Sequence, residues 1–356
     1  MSQRVKDVFI VFPNWVGDVV MATPLLRALR KRYPAPYRLV GVLRPYAAAI
    51  LAGTPLLDET LLIESPKNHR FSTYWNFSKL LKERAPETIV ILSSSFGYGA
   101  AAWLAGIPNR IGFSTNLRGW TLTLAVGNKR QGKFTKKKSL VDRYLELGYA
   151  AGCDIESKLP ELPQLAEDDR GADVVWSNLG FRPQQPIIAI NPGSANGAAR
   201  SWPTENYVAL ARQFLERSPE FGLLFMCGPN ERELVESICT QVNDARVRSM
   251  AKQDMRIGIT TACLRRSSLL ITTDSGLRHV AAAVKLPVVC LSGPVDSVTT
   301  FSYNPHELTV RVDISCSPCG KHHCPLGHRR CMTEMTVNMV EMAAREQLGK
   351  LERRVA

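Results

Sequence analysis

The sequence predicts an α/β protein made of two Rossmann-like, doubly wound parallel-sheet lobes that face a central cleft. Three observations support this fold class. Short apolar runs, typical of buried parallel strands, alternate with helical segments. The alternation lapses once near the middle of the chain and then restarts. The length of 356 residues suits two domains of roughly 150 residues each.

The first half of the chain contains three clear strand–helix pairs. Strands are predicted over residues 8–12, 38–43 and 88–92. A helix is predicted after each of them, ending at Arg32, Ala52 and Ala105. Basic residues before Pro34 suit the last turn of the first helix, where the helix dipole favours positive charge.

Residues 153–171 carry two prolines and an acidic run, and they are predicted to be an interdomain linker. After them, strands are predicted over residues 187–190, 222–226, 268–271 and 288–291, with helices over 204–216 and 231–242. The expected division is an N-terminal lobe of residues 1–165, a C-terminal lobe of 166–335, and a C-terminal helix and tail of 336–356. Ligands of such folds bind at the carboxyl ends of the strands.

Composition excludes several classes of protein. Apolar residues make up 45% of the chain and charged residues 22%, which is ordinary globular usage. No apolar run approaches the roughly 18 residues of a membrane-spanning helix. The apolar run at residues 8–12 is too short for a signal peptide, so a cytoplasmic protein is expected.

The net charge of +13 suggests an anionic partner: nucleic acid, a membrane surface or an anionic substrate. Part of the excess lies in a basic stretch at residues 129–143, which contains Lys129, Arg130, Lys133, Lys136, Lys137, Lys138 and Arg143. A single aromatic residue, Phe134, interrupts these cations, whereas single-stranded nucleic acid is usually bound with stacking aromatics as well. The stretch is therefore predicted to be a basic loop that contacts phosphates, and no nucleic-acid partner is expected.

Three strand-to-helix turns carry candidate functional residues. In the first, Gly17 permits a sharp turn and Asp18 begins a helix, either as a general base or simply as a capping carboxylate. The second, residues 191–194, ends in Ser194 and is followed by Arg200; both could contact a phosphate.

The third turn, residues 272–279, opens an apolar helix with Thr273, Asp274, Ser275 and Gly276. Free amides at a helix N-terminus bind anions. His279 lies one turn into this helix. Alone it would be a core or capping histidine, but beside two other polar turns a functional role is favoured.

Four cysteines, Cys316, Cys319, Cys324 and Cys331, follow a C-x2-C-x4-C-x6-C spacing. Such a cluster can hold structural zinc or an iron–sulfur cluster. Reduced or partly paired thiols are the alternative, and a metal here would brace the loop rather than catalyse.

The ordered set of these segments resembles glycosyltransferase family 9, the ADP-heptose:lipopolysaccharide heptosyltransferases. The segments are PNWVGDVVMATP at 13–24, AGIPNRIG at 105–112, NPGS at 191–194, RSWP at 200–203 and TDSG at 273–276 with His279. The WVGD form followed by MA is more similar to the heptosyltransferase II branch than to heptosyltransferase I.

The resemblance implies a GT-B fold and inverting transfer of heptose from ADP-heptose to the lipid-linked inner core of lipopolysaccharide. It implies no cofactor for catalysis, and an anionic membrane surface as a partner at the cytoplasmic face of the inner membrane. Asp18 matches the general base. The donor-binding residues implied are Ser194, Arg200, Glu231, Thr273, Asp274, Ser275, Gly276 and His279, with Asn230 as a rival of Glu231 for the ribose, and Arg110 is implied on the acceptor side.

Two departures and two alternatives accompany the resemblance. Arg200 stands where members often carry lysine, and the ribose-binding acid has no unique match. The chain could instead be a related glycosyltransferase that uses another sugar nucleotide. It could also be a nucleotide- or nucleic-acid-binding protein without transfer activity, whose binding would be sensitive to salt.

Overall fold

The chain consists of two compact units, Met1–Pro163 and Gln164–Ala356. The computed structural model describes residues 6–64, 70–127, 137–193 and 197–355. Each unit contains a six-stranded sheet in which every neighbouring pair of strands is parallel.

The elements of the first unit are β1 (Lys6–Val11), α1 (Val16–Met21), α2 (Thr23–Arg32), β2 (Tyr37–Leu43), α3 (Pro45–Ala48), β3 (Glu59–Leu62), α4 (Arg70–Arg84), β4 (Thr88–Ile91), α5 (Phe96–Leu104), β5 (Asn109–Phe113), β6 (Leu124–Val126) and α6 (Leu140–Ala150). Short 3-10 turns lie at Ala49–Leu51 and Gly119–Thr121. The strand order is β3-β2-β1-β4-β5-β6.

The elements of the second unit are α7 (Ala166–Leu179), β7 (Ile187–Asn191), α8 (Thr204–Arg217), β8 (Gly222–Phe225), α9 (Arg232–Val242), β9 (Val247–Ser249), α10 (Ile257–Arg265), β10 (Leu269–Thr273), α11 (Gly276–Ala283), β11 (Val288–Leu291), β12 (Glu307–Val310), α12 (Arg330–Thr333) and α13 (Val337–Val355). Short 3-10 turns lie at Ala198–Arg200 and Pro229–Glu231. The strand order is β12-β11-β10-β7-β8-β9.

Both sheets have the same topology. In each, the first strand is central, the next two strands extend the sheet to one edge, and the last three extend it to the other edge. The order reverses between β1 and β4 in the first unit and between β7 and β10 in the second. This is the Rossmann order, and such switch points are where open α/β sheets bind ligands. The predicted fold class of two doubly wound parallel sheets is confirmed.

Central strands are apolar along their whole length because helices cover both faces of each sheet. In the first unit, Phe9 and Ile89 pack with Phe77 and Leu81 of α4 and with Ala101 of α5. All five side chains are at most 3% exposed. Helices α4 and α5 are thereby held against one face of the sheet.

The sequence analysis placed the acidic run at residues 167–169 in a linker, and this prediction was wrong. The run lies in the first turn of α7. Carboxylates there interact favourably with the positive end of the helix dipole. The helix predicted after β1 is divided into α1 and α2 at Ala22. Pro24 lies in the first turn of α2, where its missing N–H costs nothing.

Candidate active site

The carboxyl ends of β7 and β10 are joined by a network of side chains in the second unit. Asn191 donates from Nδ2 to Thr272 Oγ1 at 3.0 Å and to Ser275 Oγ at 3.1 Å. The two hydroxyls are 3.0 Å apart. These bonds hold the start of α11 beside the turn that follows β7, so two of the predicted turns come together.

Thr273 is buried and links the same two turns from below. Its hydroxyl donates to the carbonyl oxygen of Gly193 at 3.0 Å, and the residue is 0% exposed. In this structure the Thr273 side chain therefore holds the backbone of the turn after β7 in place.

Glu231 lies directly over the turn after β7. Its Oε2 accepts a hydrogen bond from the Gly228 amide at 2.8 Å. A Cβ atom at Gly193 would lie 2.1 Å from the Glu231 carboxylate, so only glycine permits this approach. Glu231 is thus brought to the site, whereas its rival Asn230 is exposed in the turn before it.

Behind the site, Arg278 joins two buried carboxylates. It donates to Asp274 Oδ1 at 2.7 Å and to both oxygens of Glu307 at 2.9 and 2.6 Å. The three side chains are at most 5% exposed. A planar bidentate pair of this kind holds its partners in one orientation. Sequence reasoning missed Arg278 and Glu307, because these residues are 29 positions apart and meet only when β12 pairs with β11.

His279 is buried beside this charged group, and burial lowers the pKa of its imidazole to about 4. The positive charge of Arg278 also lowers the pKa, while Asp274 and Glu307 raise it. His279 Nδ1 and Asp274 Oδ2 are both buried and find no hydrogen-bond partner among the described residues. Buried polar atoms are nearly always bonded, so these two atoms mark a place where a ligand could bind.

Arg200 ends the 3-10 turn Ala198–Arg200, and its buried Nε has no partner within the described part of the chain. Ser194, the other residue predicted for this turn, lies outside the described residues. The neighbouring Trp202 is 2% exposed and donates from Nε1 to the carbonyl oxygen of Met335 at 2.8 Å. Trp202 therefore anchors the chain that carries Arg200.

The four cysteines line one small cavity of about 40 Å³ together with His328. Hydrogen bonds from backbone amides, with that of Arg329 contributing most, lower the pKa of the Cys324 thiol. Across the described ranges, no group of three His, Cys, Asp or Glu side chains is arranged to hold a metal ion. The loop that carries the four cysteines also contacts the turn that carries Arg200. The Ala199 amide of that turn donates to the carbonyl oxygen of His322 at 3.4 Å.

Asp18 lies in the first turn of α1, at the carboxyl end of β1 in the first unit. It is half-buried, and its negative charge contributes, after burial, to the raised pKa of the buried Tyr144 phenol. A carboxylate at the N-terminus of α1 interacts favourably with the helix dipole.

A large cavity of about 1020 Å³ opens at the carboxyl end of the first unit's sheet. Its lining combines aromatic side chains of α4 and α5 with polar residues that include Asn14, Arg44, Glu64, Ser93 and Ser95. Arg44 donates from Nε to Asn14 Oδ1 at 2.7 Å. A few polar groups in an aromatic-lined cavity are typical of ligand sites. No motif in the sequence pointed to this cavity.

Arg110, which the sequence analysis placed on the acceptor side, bonds to backbone of its own unit. It donates from Nε to the carbonyl oxygen of Thr121 at 2.7 Å and from Nη1 to that of Ile107. It does not line the large cavity. Of the basic stretch at 129–143, only Lys137, Lys138 and Arg143 lie within the described residues.

Two Rossmann-like units, each with polar residues at the switch point of its sheet, define the GT-B class of glycosyltransferase folds. Solved structures agree with this class. The heptosyltransferase II structure from Escherichia coli has a TM-score of 0.78 at 22% identity, covering 97% of this chain and 99% of that one. A glycosyltransferase family 9 structure from Veillonella parvula has a TM-score of 0.82 at 22% identity, covering 98% and 99%.

The family follows from the sequence match. The model of glycosyltransferase family 9 (heptosyltransferase) matches residues 74–329. Lipopolysaccharide heptosyltransferase 2 of Escherichia coli K12 is 28% identical over 94% of this chain and 96% of its own length. Lipooligosaccharide heptosyltransferase 2 of Campylobacter jejuni serotype O:2 is 25% identical over 96% and 98%. The chain belongs to glycosyltransferase family 9 and is a glycosyltransferase.

Proposed function

We propose that this enzyme transfers heptose from ADP-heptose to the lipid-linked inner core of lipopolysaccharide, with inversion at the anomeric carbon. The observation that carries the proposal is the match to heptosyltransferase 2 proteins along nearly the whole chain. The organisation of the second unit's switch point around an anion-binding helix end adds support.

We propose that the second unit holds the diphosphate of the donor. No side chain caps the N-terminus of α11, because the Ser275 hydroxyl is engaged by Asn191 and Thr272. The first amides of this helix can therefore bind phosphate oxygens, as helix N-termini commonly do. Arg200 supplies a cation, and a Ser194 hydroxyl bond remains a prediction. Charge that develops on the leaving ADP would meet donors already in place.

The other donor contacts are assigned by chemistry. Glu231, held by the Gly228 amide, would accept hydrogen bonds from the ribose hydroxyls. Asp274 would use its unpaired Oδ2 to orient the sugar, because Arg278 already holds Oδ1. Neutral His279 would donate or accept at Nδ1 according to its tautomer. Thr273 would act through the hydroxyl bond that holds the Gly193 turn, and Gly276 through its backbone amide.

We assign Asp18 as the general base. It would take the proton of the acceptor hydroxyl while that oxygen forms a bond to the anomeric carbon, and the bond from that carbon to the ADP oxygen breaks with its electron pair leaving on ADP. The acceptor would enter the cavity of the first unit, where Arg44 could pair with an acidic sugar. The contact from Arg110 remains a prediction.

The decisive assay follows ADP release from ADP-heptose with a truncated core acceptor, beside ADP-glucose and a UDP-sugar. Turnover with ADP-heptose alone supports the donor assignment, and turnover only with another sugar nucleotide refutes it. Asp18→Asn should lose at least a hundredfold in kcat while ADP-heptose binding is retained, because general-base catalysis contributes about 10²–10⁴. Wild-type turnover in this variant would exclude the base role. Salt-sensitive oligonucleotide binding without turnover would favour a nucleic-acid-binding protein.

The membrane is proposed as a second partner, because a lipid-linked acceptor resides in the bilayer. Within the described residues, no helix combines the length and apolarity needed to cross a bilayer. From the lipid anchor of the acceptor and the excess of basic residues, we infer peripheral binding at the anionic cytoplasmic face of the inner membrane.

Catalysis is proposed to need no cofactor, and the four cysteines are proposed to hold a structural zinc ion or an iron–sulfur cluster. Support comes from their convergence on one small cavity; binding would require the side chains to rotate inwards, since no preformed set exists in the described residues. Protein purified without oxygen should contain about one zinc ion per chain, or iron together with inorganic sulfide. Cys331→Ser should abolish this content and Cys239→Ser should not, because Cys239 lies outside the cluster. Metal-free wild-type protein with nine titratable thiols would refute the proposal.

A further inference from the structure

The tryptophans of the two units differ sharply in exposure. The chain has six. Trp15, Trp75, Trp103 and Trp120 of the first unit are 47–61% exposed, whereas Trp176 and Trp202 of the second are at most 8% exposed. Tryptophan is costly to leave in water and is enriched where one side of a surface is apolar and the other wet, as at membrane interfaces.

Three of the exposed apolar residues form a stripe along α5. Phe96, Trp103 and Leu104 are spaced i, i+7 and i+8, which places them on one side of the helix. They are 42, 47 and 56% exposed. The opposite side of α5 packs on the sheet through Ala101 and Ala102. Helix α5 is thus apolar on its exposed side as well as on its buried side. Folding requires only the buried side of a surface helix to be apolar.

Trp120 extends this stripe. Its ring lies 5.4 Å from that of Trp103 and 6.0 Å from that of Phe96, between centroids. We call Phe96, Trp103, Leu104 and Trp120 together the aromatic face. Contiguous exposed apolar surface of this kind marks an interaction site.

The fold holds the aromatic face rigidly. Arg118, 0% exposed, donates to the carbonyl oxygens of Phe113 at 2.7 Å and Ser95 at 3.1 Å, tying the turn of Trp120 to the start of α5. A Cβ at Gly99 would lie 2.5 Å from Thr121 Oγ1, so the same turn packs closely on the helix. The outward position of Trp120 is therefore built into the structure.

The charge of the chain identifies the partner. The first unit contains 23 Lys and Arg against 12 Asp and Glu, a net charge of +11, whereas the second contains 22 against 20, a net charge of +2. Nearly all of the excess charge therefore lies in the unit that carries the aromatic face. Interfacial aromatic residues combined with excess cations are what binds a protein to anionic lipid.

The aromatic face also adjoins the large cavity of the first unit. Phe96 and Leu104 belong to the aromatic face and line that cavity as well, together with Phe71 and Trp75 of α4. A surface that meets the bilayer there would place the cavity at the level of the lipid headgroups, where the sugars of a lipid-linked acceptor lie.

We propose that the aromatic face docks the first unit on an anionic phospholipid bilayer, with Trp103 and Trp120 entering the interface. The choice of a bilayer agrees with the proposed function, since the acceptor is lipid-linked. Docking itself requires no transfer reaction and can be measured separately.

The test is sedimentation of the full chain with vesicles of phosphatidylcholine, alone or mixed equally with phosphatidylglycerol. Wild-type protein should bind the mixed vesicles, and binding should fall with salt and with removal of phosphatidylglycerol. Trp103→Ser with Trp120→Ser should weaken binding about a hundredfold, roughly tenfold for each ring that loses its buried apolar area. Trp103→Tyr with Trp120→Tyr should stay within a fewfold of wild type, because tyrosine also favours the interface.

Val298→Ser with Phe301→Ser is the matched control, since these side chains of the second unit are 48 and 46% exposed. It should bind vesicles like wild type. The serine pair at Trp103 and Trp120 should retain transfer to a water-soluble acceptor without acyl chains.

Three results would overturn the docking proposal. They are unchanged vesicle binding in the Trp103 and Trp120 serine variant, an equal loss in the control, and wild-type protein that ignores anionic vesicles. The last result would make the aromatic face a protein interface. Failure of wild-type protein to use ADP-heptose would instead refute the proposed function and leave the vesicle result standing.

Discussion

Replacing His279 tests the electrostatics of the candidate site through the pH dependence of stability. In the folded protein, burial lowers the pKa of this imidazole from 6.5 to about 4. The unfolded chain therefore binds a proton at a higher pH than the folded chain does. The contribution of His279 to the free energy of unfolding is complete above pH 6.5 and is lost as the pH falls from 6.5 towards 4.

The magnitude follows from the same two pKa values. A difference of about 2.5 between them corresponds to a maximum of about 3 kcal/mol at low pH, at 1.36 kcal/mol for each pKa unit. Between pH 7 and pH 5 the loss should be about 2 kcal/mol. The side chain is only 4% exposed, so solvent screening reduces this value little.

The assay is urea denaturation followed by circular dichroism at pH 7 and pH 5. His279→Gln stays neutral, so its free energy of unfolding should fall by about 2 kcal/mol less than that of wild type over this range. His323→Gln, which changes an exposed histidine of the same unit, is the control and should behave like wild type. The reasoning is refuted if His279→Gln loses as much stability as wild type between the two pH values.

Two further substitutions test the packing of the site. Gly193→Ala should push the Glu231 carboxylate away from its bond with the Gly228 amide and destabilise the protein by about 1–2 kcal/mol. Calorimetry should also show weaker ADP binding, whereas Gly228→Ala, whose Cβ would meet Glu231 only at 3.4 Å, should be tolerated; equal effects would contradict the argument. Arg278→Met leaves two buried carboxylates unpaired and should cost about 3–5 kcal/mol in urea denaturation. Arg256→Met, which breaks an ion pair with Asp254 in which both side chains are exposed, should cost less than about 1 kcal/mol, and a similar loss in both would show that burial is not decisive.

Strands with continuous apolar runs could be predicted from the sequence, because a parallel sheet covered on both faces imposes that pattern. The strand predicted at 288–291 coincides with β11, and those at 187–190 and 222–226 agree with β7 and β8 to within one residue. β5 was missed, and so were the four edge strands, β3, β6, β9 and β12. The edge strands are only three or four residues long, so their local composition does not distinguish them from loops.

The predicted turns likewise contained most of the residues that meet at the second unit's switch point, since polar groups at strand ends follow from the fold. The approach of Glu231 to Gly193 was not predictable, because it depends on the packing of the turn after β8 against the turn after β7. The roles assigned to Asp18 and to the donor-binding residues remain predictions.

By itself the sequence determined the fold class, the family and the total charge, because alternating periodicity and ordered motifs are local properties of the chain. Only the tertiary structure decided which residues of one type, such as the six tryptophans, are exposed to water and which are buried. Four tryptophans became exposed and two buried. The physical reason is that burial and pairing depend on contacts between distant segments, as between Arg278 and Glu307, which form only when the strands that carry them take their places in the sheet.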